Sequence, residues 1–204
     1  AAEALSVPIE DVRVSNVDTN VTPACLGAFA TRTTTLGGNA VLNAARDARR
    51  QLLEHASGML ECRAEDLGLS GGELFVEATP DRKLSLAEVA RSATFAAAGN
   101  PILGIGSFTP PNVVLPAPNK YGNVSTAYPF AAHAAEVEVD IETGFVKILR
   151  LVAGHDAGKV INRLAIEGQV EGGVTQGLGY ALMEDITMSD GNVLNANFYD
   201  SRIP

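Results

Sequence analysis

Residues 27–39, Gly-Ala-Phe-Ala-Thr-Arg-Thr-Thr-Thr-Leu-Gly-Gly-Asn, set five hydroxyl or guanidinium side chains, Thr31 to Thr35, in an unbroken row. Two glycines follow, and an amphipathic helical pattern then begins. A loop feeding a helix N-terminus offers free backbone N–H groups and the positive end of the helix dipole, and both favour an anion. Thr31, Arg32, Thr33 and Thr34 add side-chain donors at the same place. The chemistry on offer is binding of a phosphorylated or otherwise electron-rich ligand. Threonines before a helix also serve as caps, so the row by itself leaves both roles open.

A second segment, residues 167–179, reads Glu-Gly-Gln-Val-Glu-Gly-Gly-Val-Thr-Gln-Gly-Leu-Gly. A glycine inside a helix costs about 1 kcal/mol against alanine, so such a run needs a reason. Gly168, Gly172 and Gly179 fall on one helical stripe, which lets a backbone or a flat ligand approach closely. Gln169 and Gln176 also share a face. A glutamine amide is both donor and acceptor, which suits the edge of a heterocycle. Glycine-mediated helix packing with surface glutamines is the alternative.

Other reactive types are sparse. His155-Asp156 follows a strand-like run and precedes a turn, and His133 lies before another strand. A His/Asp pair can act as base and orienter or bind a metal. Adjacent residues of an extended chain, however, point to opposite faces. Asp156 is therefore expected to cap the turn at Gly158-Lys159, and no catalytic or metal-ligating residue is assigned. Cys25 and Cys62 form no Cys-x-x-Cys motif, so this chain cannot by itself ligate an iron–sulfur cluster or a structural zinc. Both are expected to be reduced thiols, with Cys25 close enough to the threonine row to line a site. No nucleophile elbow, phosphate loop or His-Glu-x-x-His motif occurs. Gly104-Ile105-Gly106 lacks a preceding strand and a following helix, so it is no dinucleotide signal.

The elements that must position these groups are legible in outline. The chain has 204 residues, 46% of them hydrophobic, enough for one substantial domain or two small lobes. A net charge of −9 with scattered Lys and Arg excludes a nucleic-acid partner. No apolar run is long enough to span a membrane, and no signal peptide is visible, so a cytoplasmic location is expected. Residues 1–6 read as the end of a helix and Asp11 to Asp18 as a strand. Pro23 to Gly38 reads as a loop, and Asn39 to about His55 as a helix stopping at Gly58. Leu67 to Ala78 reads as a hairpin turning at Gly71-Gly72, with Leu74 and Val76 inward. Ser85 and Glu88 form a capping box for a helix to about Ala97. A Gly/Pro/Asn-rich connection, 99–129, links possible lobes 1–98 and 130–204. Ala135 to Ile141 and Phe145 to Val152 form a hairpin whose acidic row reads as a solvated face. Leu164 to Glu184 is the glycine-rich helix, and Ser189-Asp190-Gly191-Asn192 turns a last hairpin. The order predicts an α+β fold with mixed sheets and packed helices. The abrupt start and finish predict a fragment of a larger subunit.

Taken together, the motifs resemble the molybdenum hydroxylases, the xanthine dehydrogenase, aldehyde oxidoreductase and hydroxybenzoyl-CoA reductase family. The resemblance rests on Ala30-Thr31-Arg32-Thr33-Thr34 with Gly38-Asn39-Ala40-Val41, and on His133 to Asp140 with Glu142-Thr143-Gly144. It continues through His155-Asp156-Ala157-Gly158 with Val160-Ile161-Asn162, and Glu167 to Gly173 with Gln176-Gly177-Leu178-Gly179. It covers essentially the whole chain and implies the second molybdopterin-binding region of the large catalytic subunit. It further implies that backbone amides at Ala30, Thr31, Arg32 and Thr33 lie against the molybdenum–molybdopterin cofactor. Gln169 is implied to hydrogen-bond the cofactor, with Thr34 and Gln176 nearby in support.

By the same resemblance, the full enzyme oxidises an aromatic N-heterocycle or an aldehyde with water as oxygen source, or works as a reductase of the hydroxybenzoyl-CoA type. Its electrons pass to 2Fe-2S and FAD groups on other domains or subunits, and it forms a homo-oligomer. The general-base glutamate of the family is expected beyond Pro204, so the 204 residues alone are expected to be inactive. A non-catalytic cofactor-binding or assembly module is the alternative. Two departures stand out: Arg163 follows Asn162 where proline is usual, and Phe29 replaces a residue that is often small, shaping the substrate pocket.

Overall fold

The computed structural model describes residues 1–15, 18–20, 22–25, 27–95, 99–114, 117–118, 121–125, 127–199 and 202–204. They divide into two units, Ala1–Thr126 and Ala127–Pro204.

The first unit is organised by helix α2, Gly38–Met59, which follows a short helix α1, Ala2–Leu5. Apolar residues recur along α2 at helical period, and Ala45, Leu52 and Ala56 on that stripe are buried. Gly58 does not stop the helix. The chain leaves it at Glu61, which takes a left-handed φ of 49°, while the Arg82 guanidinium donates to the Leu60 carbonyl. Three antiparallel strands follow in the order β1, Leu67–Ser70, β2, Glu73–Val76, and β3, Thr79–Ser85. The turn between β1 and β2 falls at Gly71 and Gly72, both at positive φ, as the sequence predicts. Leu74 is fully buried and Val76 is buried. Strand β3 is an addition to the expected hairpin. Its Thr-Pro-Asp-Arg-Lys run lacks apolar alternation and stays exposed, and pairing with β2 alone makes it a strand.

Helix α3, Leu86–Phe95, begins at the expected capping box. The Ser85 N–H donates to Glu88 Oε2 at 2.8 Å, and the Glu88 N–H donates to Ser85 Oγ at 3.2 Å. Leu52 and Ala56 from α2 and Leu60 just after it close a core with Leu67, Leu69, Leu74, Val76 and Val89. Asp11 to Asp18 is not a strand: Ile9–Asp11 is a 3-10 turn, no described strand pairs with residues 12–15, and residues 16–17 lie outside the described set. Alternation without a neighbour to accept the ladder does not make a sheet.

Part of the irregular connection is fixed. Residues 103–107 run antiparallel to α2, held by a polar row on the helix at Asn43, Asp47 and Gln51. The Asn43 amide donates to the Ser107 carbonyl at 2.8 Å, and the Ile105 N–H donates to Asp47 Oδ2 at 3.2 Å. Gln51 both donates to the Leu103 carbonyl at 2.9 Å and accepts from its N–H at 3.2 Å. Gly104 and Gly106 are glycine because a Cβ on either would collide with the α2 backbone at Ala40 to Ala44. This close approach explains the Gly-Ile-Gly sequence.

In the second unit, β4, Phe130–Val139, pairs antiparallel with β5, Val146–Asp156, around the turn at Glu142 to Gly144. Gly144 takes φ 75° there, and Asp140 accepts from the Glu142 N–H at 2.8 Å. Helix α4, Arg163–Leu182, is capped by Asn162, whose Oδ1 accepts from the Ala165 N–H at 3.1 Å. Strands β6, Met188–Ser189, and β7, Asn192–Val193, complete the unit. Only Gly179 is buried among its described residues. Glu136 and Glu138 are exposed as expected, but Val137 and Val139 are 47% and 50% exposed as well. A two-stranded ribbon with no fully buried side chain is marginal in water.

Candidate functional site

The donor row of the first unit is not a simple loop before a helix. Residues 33–37 form a π-turn continuous with α2, and Arg32 is already helical in conformation. The Gly38 N–H reaches back to the Thr33 carbonyl, one residue further than an α-helix allows. The Asn39 side-chain amide donates to the Thr35 carbonyl at 2.7 Å and satisfies the widened turn. The expectation of a loop through Gly38 is corrected accordingly. The threonines at 33 and 34 stand on the turn itself, and the helix begins earlier than apolar periodicity shows.

Immediately before the π-turn, Ala30 and Thr31 take φ 49° and 57°. Two successive left-handed residues without glycine cost about 1–2 kcal/mol each, and such outliers concentrate where backbone is shaped for a ligand. Among the described residues neither the Ala30 nor the Thr31 N–H donates to another group. Ala30, Thr31, Thr33 and Thr34 are all exposed. Arg32 is partly buried: it donates from one guanidinium nitrogen to the Gly27 carbonyl at 3.0 Å and lies 3.4 Å from Cys25 Sγ. Its guanidinium also sits 5.3 Å from the centre of the Phe29 ring. Arg32 thus folds the preceding loop onto the turn. The Cys25 thiol is held below the usual thiol range, first by the Gly27 backbone and then by Arg32.

No carboxylate occurs between residues 22 and 46, although the chain carries 24 of them. The turn is therefore a concentration of donors with no acid to repel an anion. Its chemistry fits a group rich in acceptor oxygens and nitrogens.

Gln169 and Gln176 stand exposed on α4 in the second unit. A side chain at Gly168, Gly172, Gly173 or Gly177 would meet nothing within 4 Å of its Cβ, so this stretch of the helix is open. Gly179 is different: a Cβ there would run into Glu184 and Pro204, and in-chain packing accounts for it. The expected stripe therefore divides into an open part beside Gln169 and a packed part at Gly179. Gln176 lines a shallow hollow with Gly172, Thr175, Glu184, Ile203 and Pro204.

Asp156 accepts from the Gly158 N–H at 3.0 Å, the capping role expected of it. From the sequence, a cooperating His155–Asp156 pair is set aside and His155 has no named partner. The β4–β5 register brings His155 to His133, with the two Nε2 atoms 2.8 Å apart. The signal was the strand pairing, which no local spacing displays.

Residues 1–204 match the molybdopterin cofactor-binding domain family. The chain is 33% identical to the 6-hydroxypseudooxynicotine dehydrogenase complex subunit gamma of Paenarthrobacter nicotinovorans, over 100% of this chain and 25% of the relative. It is 32% identical to the carbon monoxide dehydrogenase large chain of Afipia carboxidovorans, over 100% of this chain and 24% of the relative. Identity to the putative xanthine dehydrogenase molybdenum-binding subunit of Escherichia coli is 34%, over 100% of this chain and 26% of that subunit. The chain thus spans about a quarter of the length of these relatives. Among solved structures, reconstituted carbon monoxide dehydrogenase from Oligotropha carboxidovorans matches at TM-score 0.84 and 30% identity, covering 100% of this chain and 24% of that one. Quinoline 2-oxidoreductase from Pseudomonas putida 86 matches at TM-score 0.74 and 26% identity, covering 100% of this chain and 25% of that one. These likenesses agree with the α+β architecture and with a piece of a larger subunit. Sequence and backbone lead to one assignment along the full length: the chain belongs to the molybdopterin cofactor-binding domain family.

Proposed function

We propose that this chain supplies part of the molybdopterin site in the catalytic subunit of a molybdenum-dependent dehydrogenase. The observation that carries the reading is the acid-free donor turn at Ala30 to Thr34, held in strained backbone within a chain of net charge −9. The N–H groups of Ala30 and Thr31 and the hydroxyls of Thr31 and Thr33 would donate to acceptor atoms of the cofactor. Fixed donors of this kind stabilise a polar group without reorganising. Gln169 offers one amide as donor and acceptor on the open face of α4. Arg32 orients the turn through Gly27 and Phe29, and Thr34 and Gln176 support the donors beside them. When bound, the cofactor supplies redox chemistry that no side chain has.

The same reading assigns the whole enzyme an aromatic N-heterocycle or aldehyde as substrate, with water as oxygen source. Relatives named as a dehydrogenase complex subunit and as a large chain support other subunits as partners, here those bearing iron–sulfur and flavin groups. A homo-oligomeric, cytoplasmic enzyme belongs to this reading. Among the described residues no helix is long and apolar enough to cross a membrane.

The test is molybdenum content per subunit after dialysis, with thermal melting alongside, in the intact protein. Gln169→Ala removes one hydrogen bond to a buried polar partner, worth about 1–3 kcal/mol, and so weakens retention roughly tenfold to a hundredfold. Gln176→Ala has the smaller effect. Full retention in Gln169→Ala together with depletion in Gln176→Ala refutes the assignment of the two glutamines.

A further inference from the structure

We propose that His133 and His155 form a two-imidazole chelating site for a borderline divalent transition-metal ion, with zinc as the ion to test. The two residues lie on adjacent strands, two residues off direct register: His155 faces Ala131, and His133 faces Ala153. Their side chains therefore share one face of the β4–β5 ribbon. The Nε2 atoms are 2.8 Å apart, with ring centroids 4.9 Å apart and planes tilted by 56°. Both residues are exposed, and of the register neighbours on that face Ala131, Ala135 and Ala153 are small, with Leu151 opposite Ala135 the one larger side chain.

A contact between two Nε2 atoms needs one to carry the hydrogen and the other to present its lone pair. A metal ion requires two lone pairs, reached when both rings carry their hydrogen on Nδ1. Zinc–nitrogen bonds of about 2.0–2.1 Å at a tetrahedral angle place the nitrogens about 3.3–3.4 Å apart. The pair needs to open by only about 0.5 Å to reach that separation. Small side-chain rotations on an exposed face accommodate such a change. Among the described residues no third His, Cys, Asp or Glu joins the pair, so water completes the coordination and the ion exchanges freely. Imidazole ligands suit zinc, copper and nickel and not magnesium or calcium. The bound ion would tie two strands that have no buried side chain between them.

The test is zinc titration into the intact protein by calorimetry. A chelate gains its affinity because the second ligand is already in place, so losing either one lowers affinity by roughly 10²-fold. His133→Ala, His155→Ala and the double variant should therefore all lose the same site to the same extent. His133→Gln and His155→Gln should repeat the loss with the ribbon's circular dichroism unchanged. Copper(II) bound at the site should show two imidazole nitrogens by electron paramagnetic resonance, and one in each single variant. His55→Ala should leave the site intact, because His55 lies 3.0 Å from Ser92 on other elements. An affinity drop under about tenfold in either single variant overturns the proposal, as does a double variant showing the sum of two independent losses.

Discussion

Gly106→Ala is expected to loosen residues 103–107 from helix α2. A Cβ at position 106 would lie 2.8 Å from the Asn43 carbonyl carbon and closer still to Ala44 N and Ala40 O. All three are backbone atoms inside a helix, so no side chain can swing aside. One response is for the segment to lift. It then gives up the flanking bonds from Ile105 to Asp47 and from Asn43 to Ser107. At about 0.5–1.5 kcal/mol net for each hydrogen bond, that loss is about 1–3 kcal/mol. The other response is to stay and strain the contact, and overpacking also costs about 1–3 kcal/mol. Both routes give the same magnitude. Urea denaturation followed by helix circular dichroism reads the loss, and hydrogen exchange at the Ile105 amide locates it. Gly58→Ala is the control: it sits in α2 with nothing within 4 Å of a built Cβ, and is expected to stabilise by about 0.5–1 kcal/mol. A Gly106→Ala protein within about 0.5 kcal/mol of the parent, with unchanged Ile105 protection, would refute the close-approach argument.

The same segment should respond to pH. The Asp47 carboxyl is held below the ordinary aspartate range, first by its hydrogen bond to Arg50 and then by the Ile105 N–H. A lowered folded-state value means the stabilisation is present above the unfolded value of about 3.9 and is lost as pH falls through the folded one. Ile105 amide protection should drop on acidification below about pH 4, and Asp47→Asn should abolish that dependence. Ser85→Ala removes the Oγ that accepts from Glu88 and should cost about 1 kcal/mol, read from the urea midpoint.

Much of the first unit was legible because its signals are local. The Gly71-Gly72 turn, the Ser85/Glu88 box and the inward Leu74 and Val76 each depend on residues within a few positions of one another. The hairpin turn at Gly144 was legible for the same reason. What escaped depends on partners distant in sequence. Strand β3 carries no apolar alternation and exists because β2 offers an edge. Residues 103–107 owe their course to three polar side chains on α2, about fifty to sixty positions earlier in the chain. His155 drew attention beside Asp156, whereas its partner stands 22 residues away on another strand. In the site itself, the row of donors was visible by composition. The left-handed pair at Ala30 and Thr31 was not, because neither residue type advertises positive φ.

The π-turn over Thr33–Gly37 also bears on how this segment can change by insertion and deletion. A π-turn holds one residue more than the α-helical repeat needs. Deleting a single residue there would restore the ordinary repeat and leave the buried stripe of Ala45, Leu52 and Ala56 undisturbed. Because the five-residue and the four-residue turn both close about one helical repeat, the chain upstream would keep nearly its present direction. A deletion inside α2 itself would instead turn it by about 100° and draw it in by about 1.5 Å. The segment between the donor turn and the core can therefore lose one residue at the π-turn with both ends nearly in place, and nowhere else along α2 without re-aiming Ala30 and Thr31.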